Sequence, residues 1–349
     1  MSVLARWYRT FLQSGLSSVV MSLLAGLVVG AVVISVTGGN VPLAFSAFLT
    51  GAFGGQYQIS ETLVRAIPLL FTGLAVAVAF RGGVWNIGAE GQLLVGATAV
   101  AALGRVGENW PGWILVPLLM LAAMAAGAAW GGIAAFLKVK RNVPEVIATI
   151  MLNFLALNLV SALIHGPLIE KARSYPQSEP LPAAAALPRL LPPARIHAGL
   201  FIAIFVAIVV GAWLFRTVHG YRVRVVGQNP LAAAAAGFDP SRLVWHVFLL
   251  GGAIAGLGGA VEVMGVNHIL TDSFSPGWGY TAIAVALLGE LRPAGVCLAA
   301  LLFGALDAGA GAMEAQANVS HVVAQVVQGV VIFIVGVRTA LAVRAARET

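Results

Sequence analysis

The sequence predicts an all-α polytopic membrane protein with about ten transmembrane helices, and this prediction depends on composition and hydropathy. Of the 349 residues, 60% are hydrophobic and 9% are charged, and the mean hydropathy is +0.94. A soluble domain carries about 25% charged residues, because its surface must be hydrated. The composition therefore excludes a soluble enzyme, a nucleic-acid-binding protein and a secreted domain.

Ten apolar segments are candidates to cross the hydrocarbon core, which takes about 20 residues of helix. The eighth is short and the third contains polar residues. The first follows Met1–Gln13 without a small-residue cleavage site, so we expect it to remain uncleaved. The predicted spans are residues 17–37, 60–80, 86–104, 113–136, 145–165, 198–215, 243–264, 278–291, 293–311 and 321–338.

The distribution of Lys and Arg supports this count and predicts the orientation. With the N-terminus inside, the outer side holds only six of the 20 cationic side chains: Arg65, Arg105, Lys171, Arg173, Arg189 and Arg195. Most of these lie in one long loop, where charge constrains orientation least. The excess on the other side predicts cytoplasmic N- and C-termini, and it explains the net charge of +7 without nucleic acid.

We predict a single transmembrane domain over residues 1–349, formed by two halves of five spans, 17–165 and 198–338. An odd number of spans per half inverts the second half in the membrane. Gly82–Trp85 precedes the third span and Pro276–Tyr280 precedes the eighth. Interrupted segments at matching places of a 5+5 inverted repeat indicate a path between the halves.

Two connections are long enough to have roles of their own. Residues 166–196 contain seven prolines, which exclude a regular helix. This external loop is either an ordered layer that contacts a partner or a floppy spacer. The second connection, residues 216–242, faces the cytoplasm in the predicted topology.

The cytoplasmic connection contains the signals of a short helix. Asn229 is a favoured N-cap, Pro230 suits the first helical position, the alanines at 232–236 propagate a helix, and Gly237 ends it. Isolated helices need about 12–15 residues to be stable in water. We therefore expect this helix either to pack against a partner or to lie along the bilayer surface.

The densest polar cluster at membrane depth is the run FRGGVWNIGAEGQ at residues 80–92. Its glycines and Asn86 weaken a helix, and Glu90 and Gln92 follow at the start of a span. Unwound backbone at this depth needs protein or a watery cavity to satisfy it. The run is either a helix break that lines a permeation path or a tight cytoplasmic turn in which Glu90 pairs with Arg81.

The remaining polar residues offer no catalytic or metal centre. Glu61 and Arg65 lie one helical turn apart and predict an ion pair. Asn153 and Asn158 either contact a polar solute or bond neighbouring helices. His268 has no Cys or second His nearby in sequence, and the chain lacks the Walker A, Gly-x-Ser-x-Gly and His-Glu-x-x-His motifs. We expect no catalytic residue, no metal and no cofactor in this chain.

The run at 80–92 resembles the permease subunits of ATP-binding-cassette (ABC) importers for nucleosides and simple sugars, a branch related to ribose and branched-chain amino-acid permeases. The resemblance covers about residues 60–340. Further matches follow in the right order, at residues 143–147, 149–153, 227–230 and 279–289.

The resemblance implies a set of partners and a location. A second, related permease subunit would complete a heterodimer, an ABC ATPase would carry ATP and Mg²⁺ inside, and an extracytoplasmic solute-binding protein would deliver a small polar solute. The implied location is the bacterial cytoplasmic (inner) membrane, with many passes through lipid. No nucleic acid is implied.

The short helix of the cytoplasmic connection resembles the coupling helix that such permeases insert into a groove of the ATPase. The residues implied in coupling are Gly227, Gln228, Asn229, Pro230, Ala233 and Gly237. The plain alanines at 232–236 replace charged residues that are common in relatives. This difference leaves contact by shape and by the flanking Arg222 and Arg224.

The candidate residues for the solute cavity or its gate are Asn86, Glu90, Gln92 and Asn153. The motif Asn-Ile-Gly-x-Glu-Gly-Gln favours a nucleoside as the solute, with a simple sugar such as ribose as the alternative. A secondary transporter driven by protons or sodium would use Glu90 and Asp307 as its relay. A membrane enzyme would need matched acid–base groups, which the sequence lacks.

Overall fold

The computed structural model describes residues 15–107, 109–320 and 322–345, so the chain ends, for which we predict a cytoplasmic location, lie outside it. Within these ranges the regular elements are helices, with three isolated bridges and no strand. The helices are α1 (Gly15–Val36), α2 (Val41–Phe53), α3 (Gln56–Arg81), α4 (Ala89–Gly104), α5 (Gly112–Arg141), α6 (Glu145–Ile164), α7 (Gly199–Arg216), α8 (Val218–Gln228), α9 (Pro230–Ala235), α10 (Pro240–Glu262), α11 (Trp278–Leu288), α12 (Pro293–Ala317) and α13 (Val322–Ala345).

Many of these helices are apolar enough to enter a membrane. Within the described ranges, α3, α5, α6, α7, α10 and α12 are also long enough to cross it, and α2, α4 and α11 are shorter apolar helices. The prediction of an all-α, multi-pass membrane protein is therefore confirmed. Each of the ten predicted spans falls on a helix, while the ten-span count, the inverted repeat and the side of the termini stay predictions.

Helix α2 was missed in the sequence, although its start carries a recognisable signal. The Oδ1 of Asn40 accepts a hydrogen bond from the backbone N–H of Leu43 at 3.1 Å, and Pro42 follows in the first turn. This is the same Asn and Pro chemistry that predicts the helix after Asn229. At 13 residues, α2 is shorter than the apolar stretch of about 20 residues that indicates a transmembrane span.

The described chain forms two compact units, and the first comprises residues up to 65 and from 301 onward. The predicted ion pair is present there, with the Nε of Arg65 at 3.3 Å from Glu61 Oε1. Arg65 also pairs with Asp307 on α12. The core of this unit consists of Ile34, Ala44, Ala47, Met313, Val319 and Val323.

The second unit, residues 66–300, is built around backbone contacts between glycine-containing helices. Gly96 of α4 faces Gly256 of α10, and Gly127 of α5 faces Gly252 and Gly256. A Cβ at any of these positions would collide with backbone atoms of the neighbouring helix. Small residues thus bring three helices together more closely than larger side chains would allow, as is common inside membranes.

The proline-rich loop at 166–196 is an ordered layer. Backbone N–H groups of Ser178, Leu181 and Leu187 donate to the carbonyls of Leu270, His268 and Met264, at 2.8, 2.9 and 2.8 Å respectively. These acceptors lie within and after a π-helix, Val263–Asn267, that extends α10. The structure therefore favours the ordered layer over the spacer, and a contact of this loop with a partner stays a prediction.

His197 is buried where the loop joins α7. A Cβ on Gly199 or Gly265 would collide with its ring, so the imidazole fills a tightly packed site. Burial, together with the charge of nearby His268, lowers the pKa of His197 to about 4. Burial and then Arg189 also lower the pKa of His268. Both groups resist protonation in the folded chain.

Acidification should therefore loosen this layer. The unfolded chain takes up a proton near pH 6.5 that folded His197 accepts only near pH 4, so stability is full above pH 6.5 and falls as the pH drops toward 4. Between pH 7 and pH 5 the loss from His197 is about 2 kcal/mol. Proteolysis within 166–196 should accelerate over this interval. His197→Asn should remove most of the pH effect and the exposed control His165→Gln should retain it; a pH-independent wild-type rate would contradict the prediction.

Candidate functional site

The structure contains the predicted helix break, which occupies residues 82–88 between α3 and α4. Helix α3 ends in a Schellman motif: Val84 N–H donates to Ala79 O and Gly83 N–H to Phe80 O, each at 3.0 Å. Gly83 has φ of +73°, a conformation in which glycine carries no Cβ penalty. The glycines of the run therefore end one helix and allow the next to start in a new direction.

Three predicted amide side chains hold this break together. Asn86 and Gln92 exchange two hydrogen bonds, of 3.2 and 3.3 Å, and Asn86 Oδ1 also accepts from Gly88 N–H at 2.9 Å. Asn153 of α6 accepts from Gly91 N–H at 2.9 Å and donates to Ile87 O at 2.8 Å. All three side chains are buried. They satisfy unwound backbone at depth, as such backbone requires.

The fourth predicted residue, Glu90, joins the break to α11. Its Oε2 accepts a hydrogen bond from Gly279 N–H at 2.6 Å, and its side chain is buried. Gly279 is in the first turn of α11, where N–H groups lack helical partners and favour a negative charge. The two interrupted segments that the sequence pairs as counterparts thus meet in space.

The alternative pairing of Glu90 with Arg81 is wrong. The guanidinium of Arg81 donates instead to the carbonyl oxygens of Glu290 and Leu291, at 2.8 and 3.1 Å. These carbonyls follow the end of α11, where unpaired acceptors attract a cation. Arg81 and Glu90 therefore hold opposite ends of the same short helix, which keeps them apart.

The start of α6 adds further polar contacts to the break. Lys138 Nζ lies 2.6 Å from Glu145 Oε2, and Thr149 Oγ1 accepts from Ile87 N–H at 3.3 Å. The sequence match at 143–153 thus packs directly on the break. Within the described ranges, no group of three or more His, Cys, Asp or Glu residues has a geometry for metal binding.

The predicted short helix is present as α9. Asn229 Oδ1 accepts from the N–H groups of Leu231 and Ala232 at 3.1 and 3.0 Å, and Pro230 is the first helical residue. At the other end Gly237 has φ of +84°. Ala233 is buried, whereas Leu231 is 83% exposed, so α9 presents an apolar side chain that the described residues leave largely uncovered.

Helix α8 precedes α9 and connects it to the break. Gly227, in the last turn of α8, contacts the backbone of Arg81 and Gly83: a Cβ on Gly83 would lie 3.0 Å from Gly227 Cα. Gln228 ends α8 and is exposed. The sequence did not predict α8, although Thr217 caps it by accepting from Gly220 N–H at 3.1 Å. One candidate coupling residue, Gly227, is thus in direct contact with the start of the break.

The sequence predicts the same possible roles for Asn153 and Asn158, but the structure places the two side chains differently. Asn153 lies inside the unit, whereas Asn158 is exposed on α6 and donates to Phe154 O at 2.7 Å. Its neighbours on the exposed side of the helix are Ile147, Met151 and Leu155, each 56% exposed. An amide in the middle of an apolar helix face is costly in lipid, so this face is suited to a polar path or to a partner.

A multi-pass helical chain with a buried break between spans and a capped helix presented outside them is a membrane transport protein. This chain belongs to the family described as branched-chain amino acid transport system, permease component, whose model matches residues 58–336. No solved structure matches the chain.

Similar proteins of stated role cover nearly the whole chain. A glucose ABC transporter permease protein of Haloferax volcanii is 38% identical, over 90% of this chain and 85% of its own length. A guanosine ABC transporter permease protein of Bacillus subtilis is 36% identical, over 90% of this chain and 91% of its own length. A nucleoside ABC transporter permease protein of Lactococcus lactis is 31% identical, over 91% of this chain and 90% of its own length.

Two of these organisms hold a second, more distant relative of the same stated role. In Bacillus subtilis it is another guanosine permease protein, 31% identical over 70% of this chain. In Lactococcus lactis it is another nucleoside permease protein, 28% identical over 71%. Related permeases of one stated role thus occur in pairs.

Proposed function

We propose that this chain is the transmembrane permease subunit of an ATP-driven ABC importer that moves nucleosides across the cytoplasmic membrane by alternating access. The observation that carries the proposal is that α8, which leads directly into the exposed helix α9, contacts the break through Gly227. Family membership and the stated roles of the relatives support it. A simple sugar is the second candidate solute, because a glucose permease is also similar.

The proposed assembly has three partners. The paired relatives support a heterodimer with a second permease subunit. The capped helix α9, with its exposed apolar residue Leu231, suits a groove of a separate ATPase, which would carry ATP and Mg²⁺. A solute-binding protein would dock on the outside and supply the affinity. This chain is then non-catalytic, with ten spans, an inverted repeat and cytoplasmic termini.

Movement would pass from the ATPase to the path in short steps. Closure of the ATPase displaces α9, and the Gly227 contact passes this displacement to the backbone of Arg81 and Gly83. Arg81 and Glu90 then carry it to the two ends of α11 through their hydrogen bonds. Rigid-body shifts of packed helices around a bistable contact are a common form of such switching.

Within this scheme, Asn86, Glu90, Gln92 and Asn153 serve the gate. Their burial and mutual hydrogen bonds support a role in holding the break at the end of the path. We assign the wall of the path to the exposed face of α6, where Asn158 offers an amide to a passing solute. Binding there is weak, because a tight cavity would retain the solute.

Asn158→Leu should lower solute uptake about tenfold, because a neutral hydrogen bond to solute in the path contributes about 1 kcal/mol or slightly more. The measurement is the initial uptake rate in vesicles over a range of solute concentrations. Leu155→Met on the same face is the matched control and should transport at the wild-type rate. Unchanged uptake by Asn158→Leu would place the path elsewhere.

The function itself is tested by ATP-dependent uptake of radiolabelled guanosine into vesicles that carry this chain with its neighbouring permease, ATPase and binding protein. We expect uptake that unlabelled uridine blocks and that glucose, ribose and leucine do not. Block by glucose or ribose would move the solute to sugars. Uptake that needs an ion gradient and no ATP would overturn the proposal; the pairing of Asp307 with Arg65 disfavours Asp307 as an ion relay.

A further inference from the structure

A groove of about 420 Å³ opens beside the coupling helix, between the end of α7, helix α8 and the start of α10. Its volume is in the range of small-molecule sites. Part of its wall is apolar and buried, formed by Val223, Val226 and Leu243. The polar side chains of the lining are His219, Arg222, Asp239, Arg242 and His246, and Trp213, Gly237 and Phe238 complete it.

Positive charge in the groove exceeds negative charge. Asp239 is the one acidic residue of the lining, and its Oδ1 already accepts from the N–H groups of Ser241 and Arg242, at 2.9 and 3.2 Å. Its Oδ2 lies 3.1 Å from Arg242 Nε. This carboxylate therefore caps α10 and pairs with one arginine, which leaves the second arginine without an acidic partner in the groove.

That second arginine is Arg222. Its guanidinium lies 6.0 Å from the centroid of the Phe238 ring, a cation–π contact that leaves the charge of this exposed side chain unneutralised. In the residues that the structure describes, no carboxylate forms an ion pair with Arg222. An arginine without an acidic partner beside an apolar wall is suited to an anion attached to an apolar body.

The groove lies at the polar ends of two apolar helices, α7 and α10. Trp213 is in the last turn of α7, and Arg242 is in the first turn of α10. Tryptophan favours the level of the lipid headgroups, and basic pockets at this level on the cytoplasmic side bind acidic headgroups. The site is separate from the proposed solute path on α6 and does not depend on the identity of the solute.

We propose that this groove binds the phosphate of an anionic phospholipid, with Arg222 and Arg242 as the phosphate ligands and Val223, Val226 and Leu243 against the glycerol and upper acyl chain. Such a lipid lies beside α9. The lipid headgroup then contributes to the surface that the ATPase meets, and anionic lipid supports the coupling contact.

Native mass spectrometry of the full-length chain, copurified with its permease and ATPase partners and then delipidated, tests the proposal. Phosphatidylglycerol should bind and phosphatidylcholine, whose headgroup has no net charge, should bind more weakly. Arg222→Gln and Arg242→Gln should each weaken phosphatidylglycerol binding about fivefold, the effect of one cation near a membrane surface. Arg141→Gln removes an equal charge at the end of α5, outside the groove, and should have no effect.

A conservative variant tests for misfolding, and competition with a soluble phosphate distinguishes a lipid headgroup from free phosphate. Arg222→Lys keeps the charge and should restore binding, which a general packing defect would not allow. Displacement of the lipid by millimolar glycerol phosphate would support the phosphate site and show that soluble phosphates also enter it. Equal lipid binding by wild type and Arg222→Gln would overturn the proposal. It would also fail if only the ATPase, and neither lipid nor phosphate, protected the groove from hydrogen exchange.

Discussion

Replacement of both Asn229 and Pro230 by alanine is expected to abolish the stimulation of ATP hydrolysis by solute-loaded binding protein. The chain should still insert and be recovered from the membrane in wild-type amounts. Asn229 satisfies two N–H groups of α9, and loss of such a cap costs about 1 kcal/mol. A helix of six residues is too short to remain folded after this loss. We therefore expect α9 to unwind and to lose its contact surface for the ATPase. The measurement is the ATPase rate with and without loaded binding protein.

The chain provides a matched control for this experiment. Asn40 caps α2 through Leu43 N–H, again with a proline in the first turn. Replacing Asn40 and Pro42 by alanine makes the same chemical change at a different helix and should leave the stimulation in place. Normal stimulation in the Asn229 and Pro230 variant would remove α9 from the coupling pathway.

Gly227→Ala is expected to reduce uptake to background, even though it adds a single methyl group. Its Cβ would collide with the carbonyl oxygen of Arg81 and lie 2.9 Å from Gly83 N. Neither neighbour is a side chain that can rotate away, so the α8 backbone must shift from the break. Overpacking of this kind costs about 1–3 kcal/mol, and the midpoint of thermal unfolding of the purified chain should fall with it.

Gly329→Ala is the control for this second prediction, because among the described residues no atom outside its own stretch of helix lies within 4 Å of the position that its Cβ would take. We expect wild-type uptake from that variant. Gly83→Ala, on the other side of the same contact and with φ of +73°, should repeat the defect of Gly227→Ala. Wild-type uptake by both contact variants would show that the break and α8 do not move together.

Features that depend on neighbouring residues in the chain were accessible from the sequence. Asn229, Pro230 and Gly237 act on the backbone within a few residues of themselves, so they predict α9 correctly. The glycines at 82 and 83 predict the end of α3 for the same reason. Asn40 and Thr217 carry the same information about α2 and α8, since N-cap residues indicate where a helix begins even when hydropathy does not.

Features that depend on distant residues were not accessible. Glu90 and Gly279 are 189 positions apart, and no periodicity connects them, so the sequence offered the nearer Arg81 as the partner. Asn153 and Asn158 lie in a helix that is apolar on every side, which leaves no amphipathic pattern to show which faces inward. The roles of Asn86, Glu90, Gln92 and Asn153 toward solute stay predictions.

The shortness of α11 has an electrical consequence. Eleven residues of helix rise about 16 Å, roughly half of the 30 Å hydrocarbon layer. The non-helical segment before it, with its polar backbone, must be shielded by protein or reached by water. If water reaches it, the transmembrane voltage drops across the helical part alone, and the local field there is about twice that across a full-length span. Any charge close to the first turn of α11 would then experience a larger share of the membrane potential than its depth suggests.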